Sequence, residues 1–366
     1  MTSRPSFRSR VLRSLPTIAP LTALVAVIII FSVIAPDTFP TTANLKNIAI
    51  QASVLAILAT GLTFVVILGE IDLSFAAVAS VSGLSASIVV SGTAFPIPWV
   101  GQIIVGGGQV AGLVLAIAIG LLFGLINGLV VTRIGVPSFV ATLSVLLVAQ
   151  GLAYYFAQGN SVAASTGLAT HIAQGTWGPV PLIAVFAAAI MAVSYLVLAK
   201  TRIGRYVYMA GANRQAAILS GVPATRIVIY VFVGAGVLYS IGGLVNVGYL
   251  GSAQADTGLN NLLPVFACVV LGGNSLFGGI GGIRQTLVGV LLYTILQNGL
   301  DQSDLNIYMK PLVGGIILVC AVILNVCTAN IAARAAATVS DDPEPPDLPK
   351  PIVQADAKLV AGRRTP

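Results

Sequence analysis

The sequence predicts an all-α membrane protein of about ten transmembrane helices, with both termini cytoplasmic and one span broken or re-entrant. Three observations carry this. Hydrophobic residues make up 57% of the 366 residues and charged residues only 8%, whereas soluble domains carry about a quarter charged residues. The apolar residues run continuously over long stretches, which a bilayer accommodates as helices that satisfy their own backbone. Barrel strands would instead alternate over about ten residues. The third observation is where the few charges fall.

Crossing a bilayer takes about 20 apolar residues. The first candidate, 17–36, follows Arg4, Arg8, Arg10 and Arg13. It is longer than the core of a signal peptide, no A-x-A site follows it, and Pro36 and Pro40 mark its end, so it reads as an uncleaved helix. The next two, 48–68 and 73–91, form nearly one run that only Glu70 and Asp72 interrupt. Four more follow at 109–131, 138–157, 179–199 and 227–249. The candidates 261–277 and 285–300 are short, and one of them is the broken span. The last is 311–328. With the N-terminus inside, all of the 18 Lys and Arg except Lys46 and Lys310 lie on the cytoplasmic side, as the positive-inside rule requires. An odd number of spans would place the basic tail outside. The net charge of +7 is thus a topology signal and not a nucleic-acid footprint. The chain divides into a basic segment, 1–16; a transmembrane domain, 17–330, containing a cytoplasmic loop at 200–226; and a tail, 331–366. The tail contains SDDPEPPDLPKP, too poor in apolar residues to form a core, and is expected to be disordered.

No catalytic or metal centre is expected. Cys268, Cys320 and Cys327 sit in apolar runs without a CxxC and read as small buried apolar residues. His171 is the single histidine, which excludes a histidine-based metal site or triad. There is no G-x-x-x-x-G-K-[ST] phosphate loop, and the glycines between Gly272 and Gly282 read as a helix break or a close helix approach. Charges are costly in a membrane. Glu70 and Asp72 therefore belong either to a solvated turn at the cytoplasmic end of the second span, the favoured reading, or to a pathway or gate. The D-L-S order could also cap the third span. Asn127, Asn246, Gln297 and Asn298 lie in or near spans, where amides either meet the hydroxyls of a solute or join helices. Trp99 and Trp177 read as interface anchors.

The loop at 200–226 holds GANRQAAILSGVP, residues 211–223. Asn213 can cap a helix and Gly221 with Pro223 can end it. Such a helix is too short to be stable alone, so it rests on the headgroups or docks on a partner. Gln215-Ala216-Ala217-x-x-x-Gly221 resembles the EAA-type loop of ABC importer permeases, with Gln215 where that family has Glu. Gly69-Glu70-Ile71-Asp72-Leu73-Ser74, Gly135-Val136-Pro137-Ser138-Phe139-Val140-Ala141-Thr142-Leu143, Thr201-Arg202-Ile203-Gly204-Arg205 and Val270-Leu271-Gly272-Gly273-x-Ser275-Leu276-Phe277-Gly278-Gly279 are similar, in order, to segments of the ribose/xylose-type, or monosaccharide, permeases. The resemblance covers roughly residues 20–328. Phe75-Ala76, Gly314 and Asn325 depart from the pattern and leave the substrate open.

The resemblance implies a non-catalytic transport subunit of the bacterial cytoplasmic membrane. It implies import of a pentose, hexose or related polyol by alternating access, driven by a separate ATPase that holds ATP and Mg; this chain would bind no cofactor. Asn213, Arg214, Gln215, Ala216, Ala217, Ser220 and Gly221 would couple to that ATPase. A second copy of the permease and a periplasmic or lipid-anchored sugar-binding protein would complete the assembly. The same fold carrying nucleosides or branched-chain amino acids is the alternative, followed by an ion-driven secondary carrier, for which mid-span carboxylates and inverted repeats are missing.

Overall fold

The computed structural model describes residues 7–97, 101–104, 106–163, 167–303, 305–310, 312–317, 319, 320 and 323. The chain forms two units, Met1–Pro16 with Cys327–Pro366, and Thr17–Val326. In the first, the described residues are the opening turns of helix α1. The second holds the rest of α1 and every later helix.

The helices are α1 (Phe7–Ile34), α2 (Thr42–Ile67), α3 (Phe75–Ser91), α4 (Gly108–Leu129), α5 (Ser138–Ala157), α6 (Leu168–Gln174), α7 (Leu182–Lys200), α8 (Arg202–Ala212), α9 (Arg214–Leu219), α10 (Ala224–Leu250), α11 (Leu262–Leu271) and α12 (Ile283–Gln302). One π turn, Val130–Ile134, extends α4. Among the described residues, three short antiparallel strand pairs join connections: Ala94–Ile97 with Gly101–Ile104, Val162–Ala163 with Ser252–Ala253, and Thr176–Trp177 with Val180–Pro181.

The first nine expected spans map in order onto α1, α2, α3, α4, α5, α7, α10, α11 and α12. The tenth lies only partly within the described residues, of which 312–317 are helical. Thr42–Ile67, Gly108–Ile134, Ser138–Ala157, Leu182–Lys200 and Ala224–Leu250 are long and apolar enough to cross a bilayer. The span expected at 261–277 is much shorter. Helix α11 has 10 residues and rises about 15 Å, half a hydrocarbon core of about 30 Å. Its chain then unwinds through the glycines, so this is the broken element.

Helices α2 and α3 sit at the centre. Every residue of α3 from Phe75 to Val89 is buried. Around them α10 crosses α4 and α3 at glycines. A Cβ on Gly236 would collide with the Gly120 carbonyl oxygen, and one on Gly243 with that of Ala79. Without a hydrophobic drive between helices in lipid, such backbone approach supplies the packing. By contrast, α4, α5 and α7 turn Val114, Leu147, Val148, Val193 and Leu196 outward. A second apolar cluster joins α1, α2 and α12 through Phe31, Phe39, Ile48, Ile295 and Leu296. Cys268 is buried as expected, but Cys320 is exposed. Cys327 lies outside the described residues.

Candidate functional site

The loop at 200–226 folds as two helices. Thr201 starts α8 by accepting from the Gly204 amide, 3.3 Å, and the helix brings Gly211 hard against the end of α2. A Cβ there would collide with the Ile67 carbonyl oxygen. Sequence reasoning misses α8 because no strong apolar run marks it. The next helix forms as expected. Asn213 Oδ1 accepts from the Ala216 amide at 3.0 Å. Gly221 takes φ +80°, a left-handed position that only glycine adopts readily, and its amide closes onto Ile218 O, 2.9 Å.

The structure divides the expected coupling residues. Ala217 is buried at 3% exposure, and its neighbour Ala216 faces out. Gln215 and Ser220 are also exposed. Ile218 and Leu219 project outward at 49% and 87% exposure. Arg214 does not point into solvent alone: its Nη1 donates to Glu70 Oε1 at 2.9 Å.

Glu70 belongs to the turn between α2 and α3, and here the expectation of a solvated turn needs correction. Asp72 is buried at 1% exposure. Its Oδ1 accepts from the Ser74 amide at 2.9 Å and from the Ser74 hydroxyl at 2.6 Å. Asn127 Nδ2 donates to Ser74 Oγ at 2.8 Å. The buried Tyr239 hydroxyl lies beside Asp72 without closing a hydrogen bond of regular geometry. The reason for burial is that α4, α5 and α10 pack over the turn, and a buried backbone must find partners. Helix α5 provides them. Ser138 Oγ accepts from the Ile71 amide and Thr142 Oγ1 from the Leu73 amide, both at 3.1 Å. Ser138 and Thr142 are one turn apart, a spacing visible in the sequence, but nothing local says which backbone they serve.

The remaining polar candidates do not converge. Asn246 Nδ2 donates to Thr257 O at 3.3 Å. Asn298 Oδ1 accepts from Asn44 Nδ2 at 2.8 Å, joining α12 to α2. Gln297 is half-buried beside Tyr293. Trp177 is 73% exposed; Trp99 lies outside the described residues. An open cavity of about 360 Å³ between α3, α4, α6 and α10 is walled by Val90, Leu113, Ile117, Ile172 and Leu244, with Ser87 and Gln109 as its polar side chains. That lining suits apolar matter rather than a polyhydroxylated solute.

The glycine-rich stretch is both a break and a close approach. Gly279 N donates to Ile67 O at 2.8 Å, and a Cβ on Gly278 would lie 2.6 Å from Gly211 O. Asn274, buried, donates to Val269 O at 2.7 Å and Thr286 Oγ1 at 3.0 Å and accepts from Gly282 N at 2.7 Å; the Thr286 and Thr63 hydroxyls lie 2.6 Å apart. Tyr208 of α8 donates to Gly281 O at 2.8 Å; burial, and then neighbouring Tyr195, pushes its phenol up. The ends of α2, α8, α11 and α12 are therefore clasped at one point.

The family described as the branched-chain amino acid transport system / permease component matches residues 44–322. The chain belongs to this family of permeases. Among curated relatives, the permease is 34% identical over 315 residues to the ribose import permease protein RbsC of Bacillus subtilis, covering 84% of this chain and 92% of the relative. It is 32% identical over 316 residues to the galactose/methyl galactoside import permease protein MglC of Haemophilus influenzae, covering 82% and 92%. It is 29% identical over 306 residues to the D-allose transport system permease protein AlsC of Escherichia coli, covering 82% and 89%. No solved structure gives a significant match. The permease is a multi-pass membrane protein of the sugar ABC importer kind.

Proposed function

We propose that this permease forms the transmembrane pathway of an importer for a pentose, hexose or related polyol in a bacterial cytoplasmic membrane. Two copies move the sugar by alternating access, a sugar-binding protein delivers it, and a separate ATPase holding ATP and Mg supplies the energy. The observation that carries this reading is α9, a capped helix whose Ile218 and Leu219 stand out from the protein. What supports docking there is the combination of adjacent exposed Ile218 and Leu219 with the likeness of this loop to the docking loop of ABC importer permeases, and the named relatives are sugar permeases. The face bearing α8 and α9 is then cytoplasmic, which agrees with the basic residues there. Gln215, in place of the family's Glu, offers hydrogen bonds to the ATPase rather than a salt bridge.

Purified permease, its ATPase and its binding protein in liposomes provide the test. Ribose, galactose or allose should enter with ATP, and leucine and adenosine should not. Entry of leucine instead would replace the sugar reading with that of the family's description, and entry of adenosine would replace it with a nucleoside reading. Leu219→Ser should lower ATPase co-purification about tenfold, the loss of roughly 1.4 kcal/mol of contact, without changing the permease's elution profile. Bulky residues at Ala216 test the same face; at buried Ala217 or left-handed Gly221 they would disturb folding as well.

A further inference from the structure

Helix α9 has to act on the bundle if its partner is to drive transport, and one side chain ties it to the turn between α2 and α3. Arg214 is the first residue of α9 and its guanidinium bonds Glu70, 144 residues earlier in the chain. Glu70 is itself only 13% exposed, against 42% for Arg214. The segment that carries Glu70 is built to transmit rather than absorb a displacement. On either side of Asp72, the amides of Ile71 and Leu73 are held by Ser138 and Thr142 of α5. Asp72 then binds Ser74, and Ser74 binds Asn127 of α4. The preceding turn is gripped by Gly211 and Gly279 against Ile67. The charged pair is exposed enough to be reset by a partner, and the network behind it is buried.

We propose that the Arg214–Glu70 pair and the α2–α3 turn form the element that carries movement of α9 into α4 and α5. Glu70 and Arg214 are positioning residues: they touch neither sugar nor nucleotide. Packed bundles respond to small shifts by switching arrangement rather than bending, and a bonded turn joining three helices is suited to pass such a shift on. This rests on reading α9 as the ATPase docking helix.

The experiment uses the full permease with its ATPase and binding protein in liposomes, with ribose, galactose and allose as probes. ATPase co-purification is measured separately from the stimulation of ATP hydrolysis by sugar-loaded binding protein. Glu70→Gln, outside the docking helix, should leave co-purification within about twofold and cut stimulation and uptake about tenfold, within the usual range of coupling between sites; Arg214→Gln should cut stimulation and uptake at least as far. The double exchange E70R/R214E should recover most of the stimulation, which a folding defect would not do. Thr142→Val, which keeps the side-chain volume and removes the bond to Leu73, should likewise cut stimulation with co-purification unchanged. Single variants that stimulate like the unaltered permease, a double exchange no better than the singles, or an unaffected Thr142→Val would each overturn the inference. If the unaltered permease itself neither co-purifies with the ATPase nor transports, the functional reading fails and takes the inference with it.

Discussion

Helices α3 and α7 are both apolar and close in length, with 17 and 19 residues, yet their environments are opposite. In α3 every residue from Phe75 to Val89 is buried. In α7 the buried residues form one stripe, Ile183, Ala187, Met191, Ser194 and Leu198, at the spacing of a single helix face. The central partner of α3, α2, shows the same contrast: 83% of its most apolar window is buried against 28% for α7, although α7 is the more hydrophobic of the two. Apolarity in a membrane therefore does not report depth in the protein: α5, less apolar than α2, is only 33% buried over its most apolar stretch. What marks the centre is small and hydroxyl-bearing residues. Helix α3 carries Ser80, Ser82, Ser85 and Ser87, all buried, because helices approach most closely where side chains are small.

The sharpest way to break this comparison is at a glycine crossing. Gly236→Val forces a side chain into the Gly120 carbonyl and should cost about 3 kcal/mol, leaving little monodisperse permease after detergent extraction. Gly234→Ala, two residues away with nothing within 4 Å of its Cβ position, should extract normally. If both behave alike, the α4–α10 crossing is wrong. Next in size is Asp72→Ala. It strips the Ser74 amide and hydroxyl of their acceptor and should lower stability by roughly 1–3 kcal/mol, read as a fall in thermal midpoint. A solvated turn would give almost no change. Smaller still is Asn298→Leu. It removes the bond from Asn44, but Asn44 Nδ2 also donates to Phe39 O at 2.9 Å, so a loss of about 0.6 kcal/mol is expected. At the lipid-facing end of the scale, Val193→Ala, at 61% exposure, should stay within about 0.5 kcal/mol in the same assay.

Much of the molecule is legible from its residues. The expected bounds 138–157 coincide with α5, since Pro137 fixes its start and a long apolar run its length. Asn213 and Gly221 bracket α9 because capping is a matter of neighbours three or four residues apart. Glycines 272 to 282 read as a break or a close approach, and they serve as both. The failures share one cause. Sequence reasoning favours a solvated turn for Asp72 because a carboxylate in lipid is costly, but the relevant neighbours are Ser74, Asn127 and Tyr239, two of which come from other helices. Helix α8 is not legible from an apolar run because its apolar residues, Ile203, Val207 and Ala210 among them, share it with Arg202, Gly204 and Arg205, and its stability comes from packing against α7 and the end of α2.

Length, periodicity and capping are local properties. They suffice to show a helical membrane protein, to place most of its helix starts and stops, and to set a capped α9 in a basic loop. Three features are not local: the central position of α2 and α3, the burial of Asp72, and the pairing of Arg214 with Glu70. These emerge only when the bundle packs. Lipid is as apolar as a leucine side chain, so hydropathy carries no information about which face meets protein. That choice is made by small residues and hydrogen bonds meeting across helices far apart in the chain.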